Sequence, residues 1–192
     1  MKQTIGVLAL QGDFELHRKS LKRIGIHSKT IYWPEDLDDC EGLILPGGES
    51  TTFMRLLEKT GLSISIMKFS KERCVMGTCA GLIALATRVT NDSLKTLGLI
   101  EMDIERNGYG RQIDSFIDKI RVPILNGKSE FEGVFIRAPK IHSLGSKTEA
   151  LGFHGEEIVM ARNEQILVTT FHPELTKDQR IHRYFIEKMV NA

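Results

Sequence analysis

Short apolar segments alternate with amphipathic segments through the first half of the chain. The segment TIGVLAL, residues 4–10, is a continuous apolar run of strand length. In the next segment, GDFELHRKSLKRIG, residues on one side recur at helical spacing. These are Phe14, His17, Leu21 and Ile24. The alternation predicts a buried strand followed by an amphipathic helix, which ends at Gly25.

The same alternation continues to about residue 88. The segments SKTIYW, GLILPGG and CVMGT predict three more strands. The segment STTFMRLLEKTG opens with hydroxyl residues suited to a helix N-cap, and AGLIALATR predicts another helix. Apolar strands separated by helices indicate a parallel sheet with right-handed crossovers. This part of the chain is therefore predicted to be α/β.

From about residue 97 the pattern changes to strands joined by turns. The segments IEMDIER, FEGVFIRAP and EIVMARNEQILVTTFHPE predict strands, and the last of them predicts a hairpin around Asn163 and Glu164. A final helix is predicted over residues 177–190. It places Ile181, Phe185, Ile186 and Met189 on one face.

Length and composition are those of an ordinary globular protein. The 192 residues predict one domain, 1–192, with 41% hydrophobic and 27% charged residues. A net charge of +1 argues against a nucleic-acid surface, which normally needs a basic face. No apolar stretch approaches the ~20 residues that span a bilayer, and the run from Ile5 to Leu10 is too short for a secretion signal.

Three cysteines, Cys40, Cys74 and Cys79, do not form an even disulfide framework, and their spacing is not that of a zinc site. The sequence therefore predicts a reducing, cytoplasmic setting. It predicts no metal and no cofactor.

Cys79 lies between two glycines where a predicted strand becomes a predicted helix. The segment Gly77-Thr78-Cys79-Ala80-Gly81 has the form of a nucleophile elbow, in which small neighbours permit a tight, strained turn. The N-terminus of the following helix favours a thiolate, and the amide of Ala80 would face an oxyanion. The alternative is a cysteine that only fills the core.

A thiolate hydrolase also needs a base and a group that orients the base. Of six histidines, His172 stands at the end of a β-rich run with Glu174 two residues later. Side chains two apart in an extended chain lie on the same side, so Glu174 could orient the ring. Pro173 marks a strand end or edge. The alternative is a turn histidine beside a surface glutamate; His17 and His182, on helix faces, are interpreted as structural or solvated.

The segment LILPGGES is a third element of possible chemistry. Gly47 and Gly48 follow an apolar strand and allow a turn that aims amide hydrogens outward, where they could hold an oxyanion or a phosphate. No lysine follows at the Walker position, and ordinary strand-end turns also use paired glycines.

The order of these elements resembles the class I, triad-type glutamine amidotransferase family, and within it the glutaminase subunits of pyridoxal 5'-phosphate synthase. The matching segments are GVLALQGDFELH, LILPGGESTT, GTCAGLI, ERNGYGRQIDSF, GVFIRAP and TFHPEL. The resemblance covers nearly the whole chain. It implies a single-domain three-layer sandwich, with a mostly parallel central sheet and helices on both faces.

The resemblance also implies a role for individual residues. Cys79 would be the nucleophile, His172 the base and then the acid, and Glu174 the orienting group. The amides of Gly48 and Ala80 would form the oxyanion hole. The glutamine pocket would be lined by Gly47, Gly48, Glu49, Arg106, Ile136 and Arg137.

Glutamine carries an α-carboxylate and an α-ammonium, so the pocket needs a cation and acceptors. Glu49 could face the ammonium. Plainer interpretations are that Arg106 belongs to a surface ion pair and that Glu49 caps the next helix. One departure from the family's pattern is Ile117, where an acidic residue is usual after Asp114, Ser115 and Phe116.

The family hydrolyses L-glutamine through a cysteine thioester and passes the ammonia to a barrel-shaped synthase subunit, which is the partner implied here. Gln11 and the helix from Asp13 are candidates for the docking surface. Latency until docking is a further expectation. Alternatives are a glutaminase for another ammonia-dependent synthase, a γ-glutamyl hydrolase or deglycase-like cysteine enzyme, and a binding module that keeps only the fold.

Overall fold

A nine-stranded sheet forms the centre of the molecule in the computed structural model, which describes residues 3–109, 115–125 and 127–192. The strands are β1 Thr4–Leu8, β2 His27–Ile31, β3 Gly42–Leu45, β4 Cys74–Thr78, β5 Ala86–Val89, β6 Ile100–Glu105, β7 Ser115–Arg121, β8 Glu130–Ile136, β9 Lys140–Leu144, β10 Glu149–His154, β11 Glu157–Arg162 and β12 Ile166–Thr169. The helices are α1 Phe14–Arg23, α2 Ser50–Thr60, α3 Leu62–Phe69, α4 Ala80–Leu85 and α5 Arg180–Phe185. A π-helical segment, Ile186–Val190, continues α5, and 3₁₀ turns span Pro34–Leu37 and Pro173–Leu175.

The strand order of the large sheet is β2-β1-β3-β4-β12-β11-β10-β7-β8. The pairs from β2 to β12 are parallel, and the pairs from β12 to β8 are antiparallel. The α/β fold class is confirmed, but the sheet is evenly mixed rather than mostly parallel. The physical reason is the connections: β10 and β11 are joined by a two-residue turn, which permits only antiparallel pairing. A second sheet has the order β5-β6-β9.

Helices cover both faces of the large sheet, as predicted. Successive residues of a strand face opposite sides, so Leu43 and Leu45 pack in one apolar cluster and Ile44 in the other. The first cluster includes residues of α2, α3 and α4, and the second includes residues of α1 and α5. The two clusters are the apolar layers between sheet and helices.

Several elements differ from the sequence-based expectation. The helix predicted over residues 80–88 ends at Leu85, because Ala86–Val89 pairs with β6 as a strand. The final helix begins at Arg180 rather than at residue 177. The Arg180 N–H, at the start of the helix, donates a hydrogen bond to the Asp178 carboxylate. Strands β7, β9 and β10 and helix α3 were not predicted, because their sequences lack clean alternation or a helical stripe. Among the described residues no helix combines the length and apolarity needed to cross a membrane.

The strand order gathers three loops at one edge of the sheet. Strands β3, β4 and β12 are neighbours and parallel, so their carboxyl ends lie side by side. The loop after β3 carries Gly47 and Gly48, the turn after β4 carries Cys79, and the segment after β12 carries His172. Ligands of open α/β sheets bind at this edge.

The glycines that flank the β4–α4 turn let backbones approach closely. A Cβ on Gly81 would lie 2.1 Å from the carbonyl oxygen of Leu45, and a Cβ on Gly77 would lie 2.7 Å from the carbonyl carbon of Gly81. The start of α4 therefore rests directly on the ends of β3 and β4. The Gly-x-Cys-x-Gly pattern is explained by this packing.

We predict that Gly81→Ala lowers the free energy of unfolding by about 3 kcal/mol, because the new methyl group meets fixed backbone. The greater helix propensity of alanine, worth about 1 kcal/mol, works in the opposite direction and is outweighed. Urea unfolding measures the change. In the control Gly98→Ala the methyl group meets nothing within 4 Å, and only its positive φ of 63° costs stability, about 1 kcal/mol. Equal losses in the two variants would contradict the packing explanation.

Candidate active site

Cys79 occupies the sharp turn between β4 and α4. Its φ of 49° and ψ of −103° are unusual for a residue with a side chain, and it is the N-cap of α4. Its backbone N–H donates to the carbonyl of Thr169 at 2.9 Å, which ties the turn to the end of β12. Its Sγ lies 3.8 Å from the carbonyl oxygen of Ile136. The thiol is held in a strained turn at the rim of a cavity.

His172 and Glu174 form a buried pair directly after β12. The Nδ1 of His172 lies 2.7 Å from the Oε1 of Glu174, and the His172 N–H donates to the Val134 carbonyl at 2.9 Å. The predicted reason for this contact is wrong. The chain is not extended here, because Pro173–Leu175 is a 3₁₀ turn. The turn, rather than strand alternation, brings the carboxylate back beside the ring.

Gly47 lies against the side chains of both His172 and Cys79. A Cβ at this position would lie 2.4 Å from Cε1 of His172 and 3.4 Å from Cβ of Cys79. His172 and Cys79 are therefore both packed against the Pro-Gly-Gly loop. Among the described residues, the Nε2 of His172 has no hydrogen-bond partner of good geometry, so it is available to the thiol and to a substrate.

The electrostatics of the pair favour a charged imidazolium. Burial opposes protonation of His172, but the nearby Cys79 sulfur, together with the hydrogen bond to Glu174 and its charge, outweighs burial and raises the pKa of His172 to about 10. Burial also opposes ionisation of Glu174, but His17 and the hydrogen bond to His172 hold its pKa at about 2. The arrangement stabilises a carboxylate and an imidazolium next to the sulfur of Cys79.

Two further histidines lie behind Glu174, and their role was missed from the sequence. His17 on α1 and His182 on α5 are both fully buried. The Nε2 of His17 lies 3.4 Å from the Oε2 of Glu174, and its Nδ1 lies 3.1 Å from the Nε2 of His182. In the sequence, each of these histidines stands on the apolar face of a predicted helix. A histidine with a purely structural role would show the same pattern.

The loop after β3 is fixed by the loop after β1. The Gln11 side-chain amide donates to the Glu49 carbonyl at 3.2 Å and accepts from the Glu49 N–H at 3.1 Å. The carbonyl of Gly47 points at Gly12, where a Cβ would lie 1.8 Å from its oxygen. In a trans peptide the N–H of Gly48 then points the opposite way. Ala80 is the first residue of α4, so its N–H has no acceptor within the helix.

A cavity of about 240 Å³ opens beside the thiol. It is lined by Asp13, Gly48, Glu49, Ser50, Cys79, Ile83, Arg106, Asn107, Ile136, Arg137 and His172. The predicted residues Gly47, Ala80 and Glu174 are adjacent but do not line it. Asp13, Ser50, Ile83 and Asn107 are lining residues that the sequence did not indicate.

The plainer interpretations of Glu49 and Arg106 both hold in this structure. The Glu49 carboxylate caps α2 by accepting from the N–H groups of Thr51 and Thr52, at 2.9 and 2.7 Å. Hydrogen bonds from Thr52 and Thr51 hold its pKa at about 2. Arg106 lies 2.7 Å from Asp92 and 3.6 Å from Glu49. Both residues still line the cavity, so capping and ion pairing do not remove them from it.

Backbone strain is concentrated around the cavity. Among the described residues, four other than glycine have positive φ, and three of them line the cavity. These three are Cys79, Asn107 and Arg137, with φ of 49°, 51° and 43°. Such conformations cost free energy and are found chiefly at functional sites.

A metal is not required to explain the charged cluster. Ligand atoms of Asp13, His172 and Glu174 lie within 4.8 Å of one another. The facing atoms of His172 and Glu174 already form a hydrogen bond, however, and this accounts for their proximity. We interpret the cluster as a hydrogen-bonded pair with Asp13 at its solvent side.

Comparison with known proteins decides the family. The sequence profile of the SNO glutamine amidotransferase family matches residues 7–191. The chain belongs to this family. Among curated members, it is 44% identical to pyridoxal 5'-phosphate synthase subunit PdxT of Thermotoga neapolitana, over 95% of this chain and 97% of that protein. It is 47% identical to the PdxT subunit of Pelotomaculum thermopropionicum, over 98% of this chain and 96% of that protein.

Solved structures agree with the SNO family assignment. A crystal structure of a glutamine amidotransferase superposes with a TM-score of 0.92 at 42% identity, covering 98% of this chain and 99% of that one. The structure of PurLQS from Thermotoga maritima superposes with a TM-score of 0.70 at 17% identity, covering 98% of this chain and 99% of the matched chain. The second comparison shows the fold alone.

Part of the segment ERNGYGRQIDSF, residues 110–114, lies outside the described residues. The departure from the family pattern at Ile117 falls on β7, opposite Val134 of β8, where the side chain is exposed. It therefore changes a surface position on the strand pair and not the cavity lining.

We predict that Glu174→Gln lowers the pKa of His172 from its raised value. The substitution removes the negative charge that favours the imidazolium, while the burial that disfavours the imidazolium remains. NMR of ¹⁵N-histidine-labelled protein across pH 5 to 10 measures the titration. The control Glu105→Gln removes the partner of the exposed His142 and should leave His172 unchanged. An unchanged His172 in Glu174→Gln would contradict this electrostatic account.

Proposed function

We propose that this chain hydrolyses the side-chain amide of L-glutamine to glutamate and ammonia, with Cys79, His172 and Glu174 as a catalytic triad. The observation that carries the proposal is the convergence of a strained cysteine and a carboxylate-bound imidazole at one cavity. Membership of a glutamine amidotransferase family supports it.

The first step is attack of the Cys79 thiolate on the amide carbon of glutamine. The raised pKa of His172 keeps the imidazole protonated beside the sulfur, and the attacking form that we propose is a thiolate paired with this imidazolium. Attack places negative charge on the amide oxygen. The N–H groups of Gly48 and Ala80 are the donors we assign to that oxyanion.

Collapse of the tetrahedral intermediate breaks the carbon–nitrogen bond. His172 gives its proton to the leaving nitrogen, and ammonia departs, leaving a thioester on Cys79. A water molecule then attacks the thioester while His172 accepts its proton, and glutamate is released. Glu174 keeps the ring in one orientation through both steps.

The pocket for the backbone end of glutamine is assigned to Gly48, Glu49, Arg106, Ile136 and Arg137, which line the cavity, and to Gly47, which precedes Gly48 in the same loop. The positive charge of Arg106 is already neutralised by Asp92 and Glu49. Arg106 can therefore contribute a hydrogen-bond donor to the substrate, but little net positive charge. Arg137, on a strained backbone at the cavity wall, is the cation we assign to the α-carboxylate.

The partner we propose is the barrel-shaped subunit of a pyridoxal 5'-phosphate synthase, which would receive the ammonia for vitamin B6 synthesis. The PdxT relatives are named as subunits of that synthase and match nearly the whole chain, which supports the assignment. Gln11 and α1 remain the proposed docking surface, since Gln11 holds the Glu49 backbone from that side.

We place the whole of residues 1–192 in one glutaminase domain. We also propose that this domain works in the cytoplasm, where its three cysteines stay as free thiols.

We predict that Cys79→Ala abolishes glutamine hydrolysis, because no other thiol borders the cavity among the described residues. Ammonia release is measured with and without the synthase subunit. The matched control is Cys74→Ala, which removes a buried thiol bonded to the Met189 carbonyl and should keep the rate within about twofold. Mass spectrometry after diazo-oxonorleucine should find one adduct, on Cys79. Full activity in Cys79→Ala, or an adduct elsewhere, would refute the assignment.

We predict that Arg137→Ala raises KM for glutamine about 10-fold or more and changes kcat less, because it removes binding to a part of the substrate that does not react. Steady-state hydrolysis in the presence of the synthase subunit measures both constants. Arg88→Ala is the control, since Arg88 is exposed and paired with Asp103 on the smaller sheet. An unchanged KM in Arg137→Ala would remove Arg137 from the pocket.

A further inference from the structure

The Glu174 carboxylate has a second oxygen that the triad does not use. Its side chain is fully buried, and Oε1 is taken by His172. Its Oε2 has no hydrogen-bond partner of good geometry among the described residues. A buried carboxylate oxygen without a donor is costly, so a nearby donor is needed to keep the group ionised.

One nitrogen close to that oxygen belongs to His17. Its Nε2 lies 3.4 Å from Oε2, slightly beyond a usual N–H···O hydrogen bond, and 3.3 Å from the hydroxyl oxygen of Thr78. The Nδ1 of His17 lies 3.1 Å from the Nε2 of His182, so the ring is held from both sides.

The contacts determine which nitrogens carry hydrogen. The Thr78 hydroxyl beside the Nε2 of His17 can donate or accept, but a carboxylate only accepts, so a hydrogen bond between His17 and Glu174 requires the hydrogen to be on Nε2. The Nδ1 of His17 is then an acceptor, and the facing Nε2 of His182 must be the N–H that donates to it. This leaves the Nδ1 of His182 as a bare acceptor, and that atom is the one without a partner.

The opposite assignment is unfavourable at both ends. It would turn a lone pair of His17 toward the carboxylate oxygen, and it would leave a buried N–H on the Nδ1 of His182 with no acceptor. Burial lowers the pKa of His17, and burial with the neighbouring His17 lowers that of His182 to about 3, so both rings are neutral. A neutral imidazole can satisfy one donor role and one acceptor role at once, as these contacts require.

We infer that His17, braced by His182, is a positioning residue that donates its Nε2–H to the Oε2 of Glu174 and so keeps Glu174 ionised and oriented toward His172. The inference rests on the proposed function for its consequence in catalysis. It extends the contacts of the His172–Glu174 pair to His17 on α1 and His182 on α5.

The groups that face His17 come from four elements. Glu174 and His172 face it from the segment after β12, Thr78 from β4, His182 from α5, and Asp13 from the residue before α1. The two carboxylates favour a charged His17, whereas burial and the charge of His172 oppose it. Burial is the larger effect, so His17 acts as a fixed donor across the working pH range.

The test compares His17→Leu with His17→Gln in the complex with the synthase subunit. Leucine has no N–H, so the pKa of Glu174 should rise, and activity should be lost as the pH falls through that higher value. We expect kcat to fall about 10- to 100-fold, KM to change less than about twofold, and the acid limb of kcat/KM to move up by about one pH unit or more. Glutamine carries an N–H near the position of Nε2 and should restore most of kcat and the original acid limb.

The control for a purely structural effect is Leu21→Ala. Leu21 is fully buried one turn further along the same face of α1. This variant should unfold at lower urea concentration but keep the wild-type acid limb. If His17→Leu keeps kcat within about twofold, or shares the wild-type acid limb, the inference is refuted.

A measurement on the unaltered protein covers the case in which His17→Leu does not fold. NMR of ¹⁵N-histidine-labelled protein should find His17 and His182 neutral from pH 7 to 9, both with hydrogen on Nε2. A charged His17, or one with hydrogen on Nδ1, overturns the inference. This result does not depend on turnover: if the wild-type complex releases no ammonia, the proposed function fails while the histidine spectrum still decides the hydrogen bond.

Discussion

The parallel pairing of β4 with β12 is the constraint on which the site depends. Its register places Thr78 opposite Thr169, and the next N–H, that of Cys79, donates to the Thr169 carbonyl. Cysteine and histidine, far apart in sequence, thereby leave neighbouring strands at the same edge. β3 on the other side of β4 adds the glycine loop. Without this register the three loops would have no reason to meet.

The buried charges depend on that framework in turn. Glu174 is ionised in a place where water cannot solvate it, and burial alone would neutralise it. The fold compensates by placing imidazoles around it, one from the same turn and one from α1. The pair is therefore a product of tertiary structure as much as of the local sequence His-Pro-Glu.

Much of the fold could be predicted from the sequence, for a definite reason. Strands such as Gly42–Leu45 and Cys74–Thr78 are buried on both faces, so their sequences are continuously apolar, and the amphipathic stripe of α1 is equally clear. The second half was harder, because β7 has an irregular pattern of exposed and buried positions and Ala86–Val89 extends a helical-looking segment. Ala86–Val89 is a strand because it pairs with β6, and this pairing cannot be predicted from the local sequence.

The residues of the site also fall into those that the sequence predicts and those that it does not. Cys79 and His172 were found from short motifs whose chemistry is local, whereas His17 and His182 matter only through contacts between distant helices. Glu49 shows the reverse case: its residue type suits an ammonium, but in this structure its carboxylate is engaged in capping α2.

Two of the close contacts beside the site are made with main-chain carbonyls. Gly12 rests on the Gly47 carbonyl, and Gly81 rests on the Leu45 carbonyl. Main-chain atoms are common to all residues, so these two contacts do not depend on the side chain of the residue that supplies the carbonyl. The positions of Gly12 and Gly81 are therefore constrained, whereas the residues that supply the two carbonyls can change. The same arrangement of sulfur and imidazole could in this way be kept in proteins whose surfaces bind different partners.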